Sequence, residues 1–521
     1  MLNIRDIFVK FCCKAAMILC AIILFAFCVW GFSYVAFMEK GELVSFYSIL
    51  PTDRILGAVL WMATLVGLTW FAQKMAIQKI VKWIGIGIVF LQSTVIFWAT
   101  KATPEADSLM CFLTAQDAAN NTWQNFQIGE YLYKFPYQAS LVAIEEVQFR
   151  IVHQPDTVYL LFRFINMAAL MLIVCAICGI TQHLFGETAA MVTSVLFAGS
   201  LPISFYVIFL YGNMLSNALA YAAVWSIIVY FNNGRMRNMV ASIALVSCAM
   251  AVKPTALIVM LAICIVWALV AVKRQQWKML LGILALVLLS GVIGKAVQYS
   301  YSQRSQVPMN PGVSNLVYIA MGLDIQSETS WFAPGWYTGW SFVAYSNANY
   351  DYDEMTRQQI EMLKDNAKYF VEHPQETKEF FVKKIVSQWL DPVFGIWVYI
   401  AQHTEPTQFG TLTETMHEKP YNEGINQVLG CLQASVYLAA LYGAVCIIKK
   451  QNVLQIFPAV IFLGGFFYLL ISEGKSQYAI SFYPMLFPIC AYGILMLKTR
   501  VCTVWHHKKG NDINNEGLAC N

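Results

Sequence analysis

The sequence predicts an all-α membrane protein, a polytopic transmembrane helix bundle of about twelve spans with further helices in its outer loops. Three observations lead there. Of the 521 residues, 58% are hydrophobic and only 12% are charged, whereas a soluble domain is about 45–50% apolar and roughly 25% charged. The mean hydropathy is +0.56. The apolar residues also gather in runs of about 20, the length that crosses a bilayer as a helix. A soluble enzyme, a disordered chain and a fibrous repeat are therefore excluded.

The apolar runs define the expected spans. They fall at 15–37, 55–72, 84–100, 157–181, 187–207, 214–231, 238–252, 255–271, 279–297, 426–447, 453–471 and 478–497. The stretch 136–152 is also apolar, but it carries Glu145, Glu146 and Arg150. We interpret it as an amphipathic helix in the outer interface, since a thirteenth span would place the two termini on opposite sides.

Lysine and arginine orient the bundle, because positive residues favour the cytoplasmic side. The basic residues before the first run, between several later runs and near the C-terminus all fit that side if both termini are cytoplasmic. Two long polar segments, 101–156 and 298–424, then lie outside. The second contains two helix-prone runs, 354–373 and 376–391.

The acidic residues are distributed unevenly across this topology. By this placement only Asp6, Glu187, Asp512 and Glu516 lie inside, and almost no carboxylate falls within the core of a span. Ion-coupled transporters usually place carboxylates near the middle of the membrane, so the distribution argues against transport. Any chemistry is expected on the outer face.

An acidic pair follows the third run directly. Glu105 and Asp107 are separated by one residue at the expected membrane surface. Two such carboxylates can share a divalent cation, or one of them can act as a general base. An aromatic and basic run follows, in which Tyr133, Lys134 and Tyr137 are candidate contacts for an acceptor. Outer loops also contain acidic pairs by chance, so the spacing alone leaves a structural role open.

A second cluster lies between the last two runs, where Glu473, Lys475 and Tyr478 share a short outer turn. Lys475 can neutralise a phosphate leaving group, or it can simply snorkel toward water. The same two interpretations apply to Lys253, at the outer end of the 238–252 run, where a lysine is unusual for an external turn. The outer loop 202–217 has hydroxyl and amide groups but no carboxylate, so packing is expected there.

In their order and sidedness, these motifs resemble the GT-C superfamily of glycosyltransferases, in particular the branch of protein O-mannosyltransferases and aminoarabinose transferases (glycosyltransferase family 39-like). An acidic motif after a span corresponds to Glu105-Ala106-Asp107. The later motifs that fit are Phe135-Pro136-Tyr137-Gln138, Arg163-Phe164-Ile165-Asn166, His183-Leu184-Phe185-Gly186, and the C-terminal Glu473, Gln477-Tyr478, Pro484 and Ala491-Tyr492-Gly493. Gln477 stands where the family usually has arginine.

The resemblance implies an inverting transfer of a sugar from a polyprenyl-phosphate donor to an acceptor hydroxyl. Asp107 would be the general base, with Glu105 beside it. The donor phosphate would be bound by Lys475, Lys253, Tyr478 and Glu473. The expected cofactor is at most a divalent cation (Mg, Mn or Zn), with Glu105 and Asp107 as its ligands. The second outer loop lacks the carboxylate that some branches use for metal, which leaves metal dependence open.

The resemblance also implies an organisation and a setting. The expected divisions are a two-span N-terminal extension (1–83), a GT-C-like core (84–297) with its first outer loop at 101–156, an extracytoplasmic loop domain (298–424), C-terminal spans (425–500) and a cytoplasmic tail (501–521). The expected partners are the lipid-linked donor, membrane lipids and a lipid, glycan, wall-polymer or protein acceptor. Nucleic acid is not expected, since the net charge is only +4. A bacterial plasma membrane is expected, with the active site on its extracytoplasmic face.

Two alternatives remain open at this point. A transporter or flippase of lipid-linked sugars needs a polar route through the bundle. A non-catalytic membrane assembly protein needs no function for the Glu105 and Asp107 pair. The enzyme hypothesis instead requires that Glu105, Asp107, Lys253 and Glu473 meet at one outer cavity.

Overall fold

The computed structural model describes residues 4–39, 43–327, 333–403, 423–450 and 452–516, and these residues form a predominantly helical protein. The predicted all-α polytopic class is confirmed. In chain order the helices and strands are α1 Ile4–Gly31, β1 Tyr34–Met38, β2 Val44–Ser48, α2 Pro51–Lys74, α3 Gln78–Ala99, α4 Ala106–Asn120, α5 Tyr131–Lys134, α6 Ala139–Val152, α7 Pro155–Phe185, α8 Glu187–Gly199, α9 Leu201–Phe205, α10 Asn213–Asn233, α11 Met236–Val252, α12 Leu257–Arg274, α13 Leu280–Ser290, α14 Val292–Ser305, α15 Asn315–Gly322, α16 Trp340–Asn347, α17 Tyr352–Glu372, α18 Pro374–Trp389, α19 Ile396–His403, α20 Gly424–Lys450, α21 Phe457–Ile471, α22 Ser476–Ala479 and α23 Leu486–Glu516.

The number of spans differs from the sequence expectation. Among the described residues, ten helical stretches are long and apolar enough to cross a membrane, or eleven if the bent pair 187–199 and 201–208 is one span. That pair bends by 68°, and α11 falls short with 17 residues. The expected count of about twelve is therefore not confirmed. The multi-pass membrane class follows from these helices.

The first apolar run does not continue as a helix to residue 37. Helix α1 ends at Gly31, and residues 34–38 form β1, which pairs antiparallel with β2 so that Tyr34 faces Ser48. A short buried strand and the end of an apolar helix have the same composition, so the sequence did not separate them. The hairpin also contacts the segment after α18, where the Ala36 amide donates to the Leu390 carbonyl at 3.2 Å.

The stretch 136–152 is helical, as expected, and it is not one of the candidate spans. Its buried face combines carboxylates with apolar side chains. Glu145 and Glu146 are buried together with the apolar residues Leu141 and Phe149, whereas Val147 and Ile151 are exposed. The carboxylates of α6 therefore point into the protein.

The two helix-prone runs of the second polar segment are confirmed as α17 and α18. Parts of that segment, residues 328–332 and 404–422, lie outside the described residues. The C-terminal helices pack closely beneath it. A Cβ on Gly443 of α20 would lie 2.2 Å from the Ile489 carbonyl oxygen of α23, and one on Gly493 would lie 2.0 Å from the Ala439 carbonyl oxygen. Glycines at this crossing allow the two backbones to touch.

Candidate active site

Two adjacent cavities share a wall formed by Asp107, Tyr211, Tyr337 and Tyr478. We call the first the Glu105 cavity; its volume is about 430 Å³, and Glu105 and Lys475 also line it. We call the second the Lys253 cavity; its volume is about 160 Å³, and its lining includes Lys253, Glu473 and Tyr137. The four residues named by the enzyme hypothesis, Glu105, Asp107, Lys253 and Glu473, thus meet at this pair of cavities, with Asp107 in both.

The acidic pair stands at the start of α4. Glu105 is the N-cap residue, and its backbone amide donates to the Ser108 hydroxyl at 3.0 Å. Asp107 lies in the first turn, where the helix dipole favours a negative charge. Between them Ala106 has a φ of 47°, a left-handed conformation that costs an alanine about 1–2 kcal/mol. Such strain persists only where the surrounding structure enforces it, and it often marks functional sites.

Contacts from two other helices fix the position of this turn. Arg163 of α7 donates to the Thr100 carbonyl oxygen at 2.7 Å, just after α3 ends. The Tyr131 hydroxyl of α5 donates to the Asp107 carbonyl oxygen at 3.3 Å. Because both ends of the 100–107 connection are tied down, the Asp107 carboxylate has a defined place in the cavity wall.

Lys253 follows the last residue of α11 and packs on an aromatic ring. Its ammonium nitrogen lies 3.4 Å from the ring centroid of Tyr211, a cation–π contact. Burial lowers the pKa of Lys253 to about 8, although the nearby Asp107 and Glu473 carboxylates act in the opposite direction. The lysine is thus mainly protonated at pH 7, and it lines a cavity rather than extending away from the protein.

The turn between α21 and α22 contributes to both cavities. Glu473 and Lys475 are only 6% and 5% exposed. Glu473 lines the Lys253 cavity and Lys475 the Glu105 cavity. The ammonium nitrogen of Lys475 lies 5.3 Å from the ring centroid of Tyr337. Each cavity therefore has one lysine and a carboxylate besides Asp107, which gives both of them mixed charge.

Of the three residues expected to contact an acceptor, only Tyr137 lines a cavity. Its hydroxyl lies 3.0 Å from that of Tyr318. Tyr133 and Lys134 are in the lining of neither cavity. The ring of Tyr133 stacks on Tyr345 with 6.2 Å between centroids, and the Lys134 carbonyl oxygen accepts from the Val313 amide at 2.8 Å. These two residues hold the second polar segment against the first.

The loop 202–217, where packing is expected, also borders both cavities. Tyr211 belongs to the wall shared by both cavities, and Asn213 lines the Lys253 cavity. The sequence interpretation relied on carboxylates and therefore missed this loop, which contributes to the cavities the Tyr211 ring on which Lys253 packs. Tyr318 and Tyr337, from the second polar segment, were missed for the same reason. The sequence signal for all of them is tyrosine in the expected outer loops.

The residues present fit a metal ion only in part. Glu105 and Asp107 line one cavity, but no group of three His, Cys, Asp or Glu side chains that could hold a metal occurs among the residues described. Zn²⁺ prefers nitrogen and sulfur ligands, which these two carboxylates do not provide. Mg²⁺ is often bound by one or two carboxylates together with substrate phosphate oxygens and water, and the pair is compatible with that mode.

Comparison with protein families gives a match in the middle of the chain. Residues 146–294 match the family described as dolichyl-phosphate-mannose-protein mannosyltransferase. The predicted resemblance to the GT-C glycosyltransferases is confirmed. The matched segment runs from within α6 through α13 to the start of α14 and thus includes Arg163, Tyr211 and Lys253, while the acidic pair and the 473–478 turn lie outside it. The match supports a membrane glycosyltransferase. No curated protein matches the chain.

Solved structures that are similar to this chain include an oligosaccharyltransferase and ArnT. The Archaeoglobus fulgidus oligosaccharyltransferase AglB in complex with an inhibitory peptide and a dolichol-phosphate is 13% identical, with a TM-score of 0.42 over 82% of this chain and 52% of that one. The same enzyme with Zn and sulfate is 11% identical, with a TM-score of 0.43 over 79% and 49%.

ArnT from Cupriavidus metallidurans bound to undecaprenyl phosphate is 12% identical, with a TM-score of 0.32 over 82% of this chain and 77% of that one. The present chain spans about half the length of the Archaeoglobus fulgidus oligosaccharyltransferase. The candidate site is therefore defined by the geometry of this chain and not by residue equivalences with these structures.

Proposed function

We propose that the protein is an inverting glycosyltransferase that moves a sugar from a polyprenyl-phosphate donor to an acceptor hydroxyl. The family match over residues 146–294 supports the class of reaction. The observation that carries the mechanism is the place of Asp107, a carboxylate in the wall between two cavities that each contain one lysine. In this position the base lies between an acceptor bound in one cavity and a donor bound in the other.

The chemical step needs a base, a nucleophile and a stabilised leaving group. Asp107 takes the proton of the acceptor hydroxyl. The acceptor oxygen attacks the anomeric carbon from the face opposite the phosphate, and the bond between that carbon and the phosphate oxygen breaks. The bonding electron pair stays on the polyprenyl phosphate, whose added negative charge is stabilised by Lys253 or Lys475. The anomeric configuration is inverted because one displacement occurs.

Neighbouring residues support these roles. Glu473 favours the charged form of Lys253 against the cost of burial. Tyr478 lies in the wall of both cavities, and Tyr137 lines the Lys253 cavity; their hydroxyls are suited to hydrogen bonds with phosphate or sugar oxygens. Burial also raises the pKa of the Glu105 carboxyl. If a divalent cation takes part, Glu105 and Asp107 would hold it beside the donor phosphate, where it would neutralise negative charge.

The proposed setting is the extracytoplasmic face of a bacterial plasma membrane, with both termini in the cytoplasm. The orientation within the membrane is inferred from the distribution of lysine and arginine along the sequence. The site lies at the ends of α3, α11 and α21, all of which that distribution assigns to the same outer side. A lipid-linked donor would enter from the outer leaflet.

A transfer assay in detergent tests the proposal. The full chain is incubated with radiolabelled polyprenyl-phosphate sugars and a membrane extract as the source of acceptor, and both labelled product and free polyprenyl phosphate are measured. The proposal predicts release of polyprenyl phosphate with at least one sugar, and its loss in Asp107→Asn. No release with any donor, combined with movement of intact donor across vesicle membranes, would instead support a flippase.

A further inference from the structure

The turn at Ser472–Gly474, which precedes Lys475, is held mainly by the second polar segment. Four of its backbone groups form hydrogen bonds with that segment. The Glu473 amide donates to the Tyr318 carbonyl oxygen at 2.7 Å, and the Gly474 amide donates to that of Gly335 at 3.1 Å. The two carbonyl groups, of Ser472 and Gly474, accept from side chains of α18. The turn thus depends on contacts that are remote in sequence.

The two side chains are Lys384 and Gln388, which are four residues apart on α18 and therefore share one face of it. The ammonium of Lys384 donates to the Ser472 carbonyl oxygen at 3.0 Å and to the Gly322 carbonyl oxygen. The amide of Gln388 donates to the carbonyl oxygens of Leu469 and Gly474, both at 3.1 Å. Both side chains are completely buried.

Two glycines make these contacts possible. A Cβ on Gly322 would lie 2.2 Å from the Ser472 carbonyl carbon, so only glycine allows this end of α15 to touch the turn. Gly335 has a φ of 66°, and its Cβ would lie 2.6 Å from the Lys384 ammonium nitrogen. The lack of a side chain at Gly322 therefore leaves room for the backbone of the turn, and the lack of one at Gly335 leaves room for the Lys384 ammonium group.

A buried ammonium group is an expensive way to hold a turn, and its position suggests a further role. Burial lowers the pKa of Lys384 to about 7, while the charge of Glu473 acts in the opposite direction. The lysine thus interacts with the same carboxylate that favours the charged form of Lys253. An apolar residue could fill the space, but it would leave two carbonyl groups without their donor.

We propose that Lys384 and Gln388 are positioning residues that hold the Ser472–Gly474 turn so that Glu473 and Lys475 enter the two cavities. We call the hydrogen bonds of Lys384 and Gln388 to this turn the clamp. The catalytic meaning of this inference rests on the proposed function, whereas the existence of the clamp does not. The second polar segment would then do more than cover the site, since its helix α18 sets the place of two charged side chains within it. In the sequence, both positioning residues lie in the run KIVSQWLD at 384–391.

Hydrogen exchange in the full chain in detergent tests the clamp without any assay of activity. Lys384→Met removes the donors and keeps an unbranched side chain. Lys383→Met is the matched control, because Lys383 is adjacent on α18 but pairs with Glu379 at 2.7 Å. We expect the amides of Glu473 and Gly474 to exchange about tenfold faster in Lys384→Met and to be unchanged in Lys383→Met. Equal exchange in wild type and Lys384→Met would overturn the clamp.

Donor kinetics then separate the clamp from the proposed function. Lys384→Met should raise the KM for the polyprenyl-phosphate donor about tenfold, with a smaller change in kcat, because Lys475 is displaced. If the wild type transfers no sugar, the proposed function fails, and the exchange rates alone decide the clamp. If Lys384→Met does not fold, Gln388→Met carries the same exchange test at Gly474. Faster exchange with an unchanged donor KM would remove the positioning role.

Discussion

The Glu105 and Lys253 cavities and the Glu146 cluster are two groups of charges in the same protein, and they are built differently. Glu146 of α6 accepts hydrogen bonds from Arg150 at 2.8 Å, from Tyr301 at 2.7 Å and from Arg304 at 3.0 Å. Burial alone would raise the pKa of Glu146, but these three hydrogen bonds lower it. At the candidate site, Asp107, Lys253 and Lys475 line open cavities instead.

This difference separates charge used for folding from charge available to a ligand. The Glu146 cluster joins α6 to α14 and is enclosed by its own partners. The charges that line the two cavities come from three separate segments of the chain and border a space large enough for a ligand. A variant of the first group should therefore change stability, and a variant of the second should change activity.

Asp107→Asn should have the largest effect. Loss of a general base lowers the rate of transfer by about 10²–10⁴-fold, while the unfolding midpoint should stay close to that of the wild type. The rate is measured with a labelled polyprenyl-phosphate donor. Asp117→Asn is the control, since Asp117 lies on the same helix but binds Thr122 and Asn125 outside both cavities. Full activity of Asp107→Asn would contradict the mechanism.

Glu146→Gln should show the opposite behaviour. It removes the charge that binds Arg150, Tyr301 and Arg304, and hydrogen bonds to a charged group contribute roughly 1.5–3 kcal/mol. We expect about 2 kcal/mol lower stability in a denaturant titration, with the rate per folded molecule within about twofold of the wild type. A stable but inactive Glu146→Gln variant would mean that the two groups of charges are not separate.

Lys475→Ala should weaken use of the donor. Removing one buried cation that faces a phosphate is expected to raise the donor KM about tenfold, the equivalent of 1.4 kcal/mol. Lys364→Ala, at an exposed position of α17, is the matched control. Kinetics with varied donor concentration measure the effect. If the KM stays unchanged, Lys475 has no part in donor binding.

The pH dependence of donor affinity should report Lys253. Its pKa is lowered to about 8 by burial, so it is protonated below that pH and loses its charge above it. Donor affinity should therefore fall severalfold as the pH rises from 7 to 9. The same titration of Lys253→Met supplies the comparison, and its affinity should be lower at pH 7 and nearly flat. An identical decline in both proteins would assign the effect to another group.

Tyr133→Phe should have the smallest effect. Tyr133 packs on Tyr345 and lines neither cavity, so loss of its hydroxyl should leave the rate within about twofold of the wild type. Tyr137→Phe is the informative partner variant, because Tyr137 lines the Lys253 cavity. A large rate loss in Tyr133→Phe would mean that the acceptor reaches beyond the two cavities.

Much of the bundle was predictable because apolar runs of span length have few alternatives in a membrane. The same reasoning did not predict the bend within 187–208 or the strand at 34–38. An apolar run has the same composition whether or not its helix is bent or ends early. The carboxylates and lysines of the site were found because charge is rare in this sequence. Tyr211 and Lys384 were not, because their roles depend on which distant segments meet them.

The most direct test of the central claim is to locate the donor in the protein. A polyprenyl phosphate with a photoreactive diazirine in its first isoprene unit is crosslinked to the full chain, and the labelled peptides are identified with and without excess unlabelled polyprenyl phosphate. We expect competable labelling near Lys253 and residues 473–478. A larger cavity of about 660 Å³ lies elsewhere, between β1, α2 and α20, and includes Arg54 and Trp61. Competable labelling there and not at the Asp107 cavities would contradict the account.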